Sequence, residues 1–255
     1  MMILTGASGL SGCMPFSAQS ATPFPSKALR GGNLSGWETV LGDALFACPG
    51  ELPVSLADIE TIDGANYTEL RANIERRAIM AHNITFKKVV DDTALQAVHT
   101  CGYSFRIPQV LQEDAKAEFS AQTVEGGLFV WDGHQTRLDY GMAFQWSLNP
   151  WDALGDLRMW TGTRWVKVGH IPPDTQWHEV KIVIDYQRQT GTMLIDGTSY
   201  SPALSQTQKP EDWGSEIAAR LQAEIVSIYP GPSCMQAMHR AEVKDWFWTW
   251  DYAGA

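Results

Sequence analysis

Hydrophobic and polar residues alternate with a period of two along most of this chain. "WHEVKIVIDY" sets Val180, Ile182 and Ile184 against Glu179, Lys181 and Asp185, which predicts a half-buried strand. "QRQTG" predicts a turn, "TMLIDG" a returning strand and Asp196-Gly197 a second turn, so the segment reads as a meander. "YGMAFQWSL" places Tyr140, Met142, Phe144 and Trp146 on one face and Gly141, Ala143, Gln145 and Ser147 on the other. In the closing "AEVKDWFWTWD", alternation sets Val243 and Phe247 against Lys244, Trp246, Trp248 and Trp250.

Helical spacing is sparse. "NYTELRANIERRAIMAH" (residues 66–82) carries Leu70, Ile74 and Ile79 at near-helical intervals and predicts a short helix or helical loop. "KPEDWGSEIAARLQAEI" starts beside Pro210 and carries Ile217, Leu221 and Ile225; it predicts a helix, or a strand that begins directly at Leu221. Many short strands between Gly, Pro and Asp turns predict an all-β sandwich or barrel with one or two short helices. Residues 1–30, rich in Ser, Pro, Gly and Ala, read as a flexible leader or signal remnant, and residues 31–255 as one β-sandwich domain.

Composition narrows the partners. A formal charge of −10 over 255 residues argues against nucleic acid and against an anionic membrane surface. No apolar run approaches the roughly 18–20 residues of a transmembrane helix, so no membrane span is expected. The 11 tryptophans supply large flat apolar faces, which serve a sandwich core and a small-molecule site equally well. Oligomeric state is not legible, and a homodimer stays open.

Two features predict the secretory route or the extracellular space. Three asparagines open glycosylation sequons, "NLS" at Asn33, "NYT" at Asn66 and "NIT" at Asn83. The four cysteines, Cys13, Cys48, Cys101 and Cys234, are widely spaced and suit two disulfides of undecided connectivity. They form no C-x-x-C pair and no Cys/His group at zinc spacing, and no D-x-[DN]-x-[DN]-G loop is present, so no metal and no cofactor are expected.

Catalytic motifs are absent. The chain contains no G-x-S-x-G elbow, P-loop or dinucleotide fingerprint. His178 beside Trp177 is expected to satisfy a strand-edge hydrogen bond. The mixed stretch "GGLFVWDGHQTRLDYGMAFQWSLNPW" is the leading site candidate. If Phe144 and Trp146 face the core, Gln145 faces outward, and in "DLRMW" Arg158 and Trp160 share a face opposite Leu157 and Met159. His134, Arg137, Asp139 and Tyr140 lie nearby in sequence, and "YSFRIP" adds Tyr103 and Arg106.

"DTQWHEVKIVIDYQRQTGTMLIDG", followed by a final strand such as "AEVKDWFWTWD", resembles the concanavalin A-like jelly rolls of the lectin and glucanase superfamily. The resemblance implies a jelly-roll fold and not a function. Retaining glycosidases of that superfamily carry carboxylates shaped like E-x-D-x-x-E on one strand, a motif this chain lacks; pairs assembled across strands stay open.

The run "GLFVWDGHQTRLDYGMAFQWSLNPW…WHEVKIVID…WGSEIAARLQAEIVSIYPG" is also similar to fungal hetero-Diels–Alderases of tropolone–sesquiterpenoid pathways. That resemblance implies a cofactor-independent pericyclase joining a tropolone-derived ortho-quinone methide to a humulene-type alkene. In such a site Arg158 or Arg106 stabilises developing charge and His134 or Asp139 moves a proton. Trp131, Tyr140, Trp160, Tyr103, Trp246 and Trp248, with Gln145, hold the substrates in a near-attack pose. The alternative is a secreted lectin-like carbohydrate-binding module, with rings stacking on sugars and Gln, Asp and Arg binding hydroxyls.

Overall fold

In the computed structural model of the protein, the described residues are 27–42, 54–73, 80–90, 97–108, 121–131, 140–148, 154–201, 205–206, 218–228 and 238–252. In chain order the strands are β1 (Lys27–Gly31), β2 (Glu38–Leu41), β3 (Ile59–Asp63), β4 (Thr68–Asn73), β5 (Met80–Val90) and β6 (Ala97–Arg106). They continue with β7 (Ala121–Trp131), β8 (Tyr140–Leu148), β9 (Asp156–Trp160), β10 (Trp165–His170), β11 (His178–Asp185) and β12 (Thr190–Ile195). The last are β13 (Thr198–Tyr200), β14 (Ser205–Gln206), β15 (Ala218–Ile228) and β16 (Met238–Tyr252).

The strands form two antiparallel sheets. The first runs β13-β12-β11-β6-β16-β4-β3, with β1 beside β16; the second runs β10-β9-β8-β7-β15-β5-β2, with β14 beside β8. Their inner faces enclose one core, in which Phe105, Leu128, Phe144, Trp146, Ile182 and Leu221 are buried. The fold is an all-β jelly-roll sandwich. The predicted meander is present as β11, β12 and β13. Asp196 and Gly197 both have positive φ, 49° and 76°, as a two-residue type I′ hairpin turn requires.

Several expectations are corrected. Residues 68–73, expected to be helical, form β4, because Thr68, Leu70 and Ala72 alternate into the core with a period of two. In the second candidate the strand alternative holds from Ala218 onward, as β15, three residues before Leu221; residues 209–217 lie outside the described residues. Among the described residues the only helical element is a single 3-10 turn, Leu56–Asp58. Lys27–Gly31 pairs with Trp246–Trp250, so the sandwich begins before residue 31.

Trp246 and Trp248, expected at a binding face, lie in the core. A bulge causes this: β16 advances from Lys244 to Phe247 while its partner β6 moves only from Ser104 to Gly102. Asp245, at φ 53°, takes the extra residue, and the alternation changes phase. Val243 and Trp246, Trp248 and Trp250 therefore all point inward. The indole N–H of Trp246 donates to Asn33 O at 2.7 Å, and that of Trp248 to His99 Nδ1 at 3.1 Å.

Tyr103 is likewise a core residue. It crosses from β6 to the opposite sheet, and its hydroxyl donates to Gln222 O at 2.9 Å. Gly126 makes room for it, since a Cβ there would collide with the Tyr103 oxygen. Asn83 is 0% exposed. Its amide nitrogen donates to Glu60 O at 2.8 Å and Arg71 O at 3.1 Å, and its oxygen accepts from the Thr85 hydroxyl at 2.8 Å. The Asn83 sequon is therefore closed to a glycan, because its nitrogen ties the two sheets together. Asn33 is half-buried and donates to Gly64 O at 2.8 Å, while Asn66 stands exposed in the turn between β3 and β4. Cys101 is a free thiol, fully buried among core side chains, so it does not form the expected disulfide. Cys13, Cys48 and Cys234 lie outside the described residues.

Candidate functional site

Core residues of the second sheet fix which side chains face outward. With Met142, Phe144 and Trp146 in the core, Gln145 projects from the outer face; Leu157 and Met159 send Arg158 and Trp160 the same way. The register aligns these positions across the sheet. Lys167 pairs with Arg158, Arg158 with Gln145, Gln145 with Glu125, and Glu125 with Glu224. His82, on the next strand, brings its Nε2 to 2.6 Å from Glu224 Oε2. Five adjacent strands thus carry one transverse polar row, and a sixth closes its end.

The row is recessed. Glu224 is only 6% exposed although it faces away from the inter-sheet core, and Gln222, Phe129 and Ala143 on the same face are also buried. Each carboxylate has an amide partner. Gln145 Nε2 donates to Glu125 Oε1 at 2.8 Å, and Gln222 Nε2 donates to Glu224 Oε1 at 3.1 Å. Burial pushes the Glu125 carboxyl up to about 7; His82 and the Gln145 N–H oppose that rise, and the facing Glu224 carboxylate adds to it. Glu125 therefore exchanges its proton near neutrality beside a second carboxylate, an arrangement able to donate and accept hydrogen bonds from the same ligand.

At the other end, Trp160 and Trp165 pair across β9 and β10 with ring centroids 5.5 Å apart and planes 59° apart. The Trp160 indole N–H is buried without a hydrogen-bond partner. Asp156, on the same strand, is raised by burial, but Lys167 at 2.6 Å and His170 at 3.6 Å outweigh this and hold it below its usual range.

The structure thus brings Gln145, Arg158 and Trp160 together as expected. Arg106 does not join them: it lies on the outer face of the first sheet, 2.6 Å from Glu242 Oε2 and 4.6 Å from the Trp177 ring centroid. His134 and Asp139, and the side chains of Trp131 and Tyr140, lie outside the described residues. His178 has the structural role expected of it, with Nδ1 2.7 Å from Asp196 Oδ2 and Nε2 3.2 Å from Asp174 Oδ1.

Sequence reasoning missed His82, Glu125, Gln222 and Glu224. The available signal was a lone carboxylate in each of two strand-length apolar runs, "TVEGGLFV" and "RLQAEIV". Zinc spacing and calcium-loop motifs do not register a group assembled across strands: ligand atoms of His82, Glu125 and Glu224 lie within 4.8 Å of one another.

No family model matches the sequence, and no curated protein matches it. Solved structures do match in fold. Basic winged bean lectin with Tn-antigen has a TM-score of 0.51 at 12% identity, covering 90% of this chain and 100% of that one. Lectin I from Ulex europaeus, in complex with the methyl glycoside of α-L-fucose, has a TM-score of 0.52 at 13% identity, covering 90% and 99%. A sialidase is also matched at a TM-score of 0.42 and 9% identity, and the chain spans 16% of that protein's length. The likeness to the two lectins is one of fold: this chain has the concanavalin A-like jelly roll that they have. Among the described residues no helix is long and apolar enough to cross a membrane.

Proposed function

We propose that the protein is a lectin-like carbohydrate-binding protein whose ligand lies along the outer face of the second sheet. The observation that carries this reading is the row Arg158–Gln145–Glu125–Glu224, set beside the paired rings of Trp160 and Trp165. Sugars present C–H faces that stack on indole rings and hydroxyls that both donate and accept hydrogen bonds. Arg158 donates, Glu224 accepts, and the amides do both. The unpartnered Trp160 N–H gains an acceptor when a hydroxyl reaches it. The two lectins of similar fold, one with Tn-antigen and one with a fucoside, add to this reading. It expects a secretory or extracellular setting, where an exposed sequon at Asn66 is usable.

The pericyclase resemblance gains no direct support from the site. Arg106 faces the other side of the sandwich, and Tyr103, Trp246 and Trp248 are core residues. It serves as the opposing arm of the test. Purified protein is screened by thermal shift against oligosaccharides on one side and tropolones with humulene-type alkenes on the other. Saturable stabilisation by sugars is the expected result. Stabilisation by the tropolone and terpene panel with silent sugars would overturn the carbohydrate reading.

A further inference from the structure

His82, Glu125 and Glu224 belong to three neighbouring strands, β5, β7 and β15, so rigid paired backbone sets their separation. Each offers one ligand atom, and these atoms lie within 4.8 Å of one another. We propose that His82, Glu125 and Glu224 bind a divalent transition-metal ion of the zinc or manganese class. One imidazole with two carboxylates suits those ions; calcium and magnesium take all-oxygen sets.

The donors are oriented from outside the cluster, as metal ligands usually are. Gln145 holds one oxygen of Glu125 and Gln222 holds one oxygen of Glu224. The His82 ring rests against Gly42, where a Cβ would strike Nδ1. Among the described residues, the Gln145 amide is the one hydrogen-bond donor to Glu125, and it takes Oε1. No lysine or arginine among the described residues forms an ion pair with either carboxylate; the basic group beside them is the His82 imidazole, 2.6 Å from Glu224 Oε2. A divalent ion brings positive charge to the two carboxylates and replaces the 2.6 Å His82–Glu224 contact with a partner common to all three donors. Three protein ligands leave a position for water or for a ligand oxygen. The inference stands on these side chains and does not need the carbohydrate reading.

The test uses tag-free, full-length protein stripped with chelator and titrated calorimetrically with Zn²⁺ or Mn²⁺ alone. Saturable binding of one equivalent and a raised melting temperature are expected. Glu224→Gln and His82→Ala should each weaken binding at least about tenfold, and Arg106→Ala, on the opposite face, should leave it unchanged. No saturable binding of either ion, or affinity indifferent to Glu224→Gln and His82→Ala, would overturn the site. Should those variants not fold, the absorption spectrum of Co²⁺-loaded wild type decides: intense d–d bands of a low-coordinate nitrogen–oxygen site support the proposal, and the weak bands of hydrated Co²⁺ overturn it. Sugar binding measured in chelator judges the carbohydrate reading separately.

Discussion

Glu125 and Glu224 stand directly opposite one another on neighbouring antiparallel strands, β7 and β15, on the outer face of the second sheet. Like charges in that position repel, and burial strengthens the repulsion. The fold keeps the pair by giving each carboxyl an amide donor and by letting Glu125 hold its proton up to about pH 7.

Stability should therefore depend on pH through Glu125. Its folded value is raised from 4.5 to about 7, so the folded state binds the proton more tightly than the unfolded chain. This contribution is fully present below about pH 4.5 and is lost as pH rises through about 7. Urea unfolding of chelator-treated protein should show the decline, and Glu125→Gln should flatten it. An unchanged slope in the variant would contradict the assignment.

Tyr103 and Gly126 should behave as one unit. Tyr103→Phe removes the hydroxyl's hydrogen bond to the Gln222 carbonyl and should cost about 0.5–1.5 kcal/mol. Gly126→Ala should cost more, because its Cβ meets the Tyr103 hydroxyl. In a double-mutant cycle the combined loss should fall short of the sum, since removing the hydroxyl relieves part of the collision.

The bulge at Asp245 is open to a stricter test. Asp245→Gly should be tolerated, because glycine adopts positive φ freely, whereas Asp245→Val should destabilise. Deleting Asp245 should abolish folding, since it would turn Trp246, Trp248 and Trp250 out of the core. Soluble, cooperatively melting deletion protein would refute the phase-change explanation.

The tryptophans should separate by role. Trp248→Ala removes a fully buried ring and should cost about 3–5 kcal/mol. Trp160→Ala and Trp165→Ala, half-buried on the outer face, should weaken sugar binding while costing less stability. Chemical denaturation paired with ligand titration distinguishes the two groups.

Where alternation was uninterrupted, the sequence was enough to place residues. The meander of β11 to β13 and the outward set Gln145, Arg158 and Trp160 follow from a period of two and a recognisable Asp-Gly turn. Alternation failed where one residue changed the phase, as at Asp245, and it was overlooked where Leu70, Ile74 and Ile79 fell at near-helical intervals although Thr68–Asn73 is strand. The cluster of His82, Glu125 and Glu224 was illegible for a different reason. Only the order of strands, β7-β15-β5, brings these three residues side by side, and long-range strand order is not written in local pattern. Asn83 illustrates the opposite limit: a valid sequon motif says nothing about burial.

The central claim is that the outer face of the second sheet is the ligand-binding face. The most direct measurement is a fluorescence titration of the best-binding glycan against wild type, Arg158→Ala and Arg106→Ala. Loss of a charged hydrogen-bond partner at Arg158 should weaken binding about tenfold or more, while Arg106→Ala should bind as wild type does. Binding lost in Arg106→Ala and kept in Arg158→Ala would place the ligand on the opposite face and contradict the account.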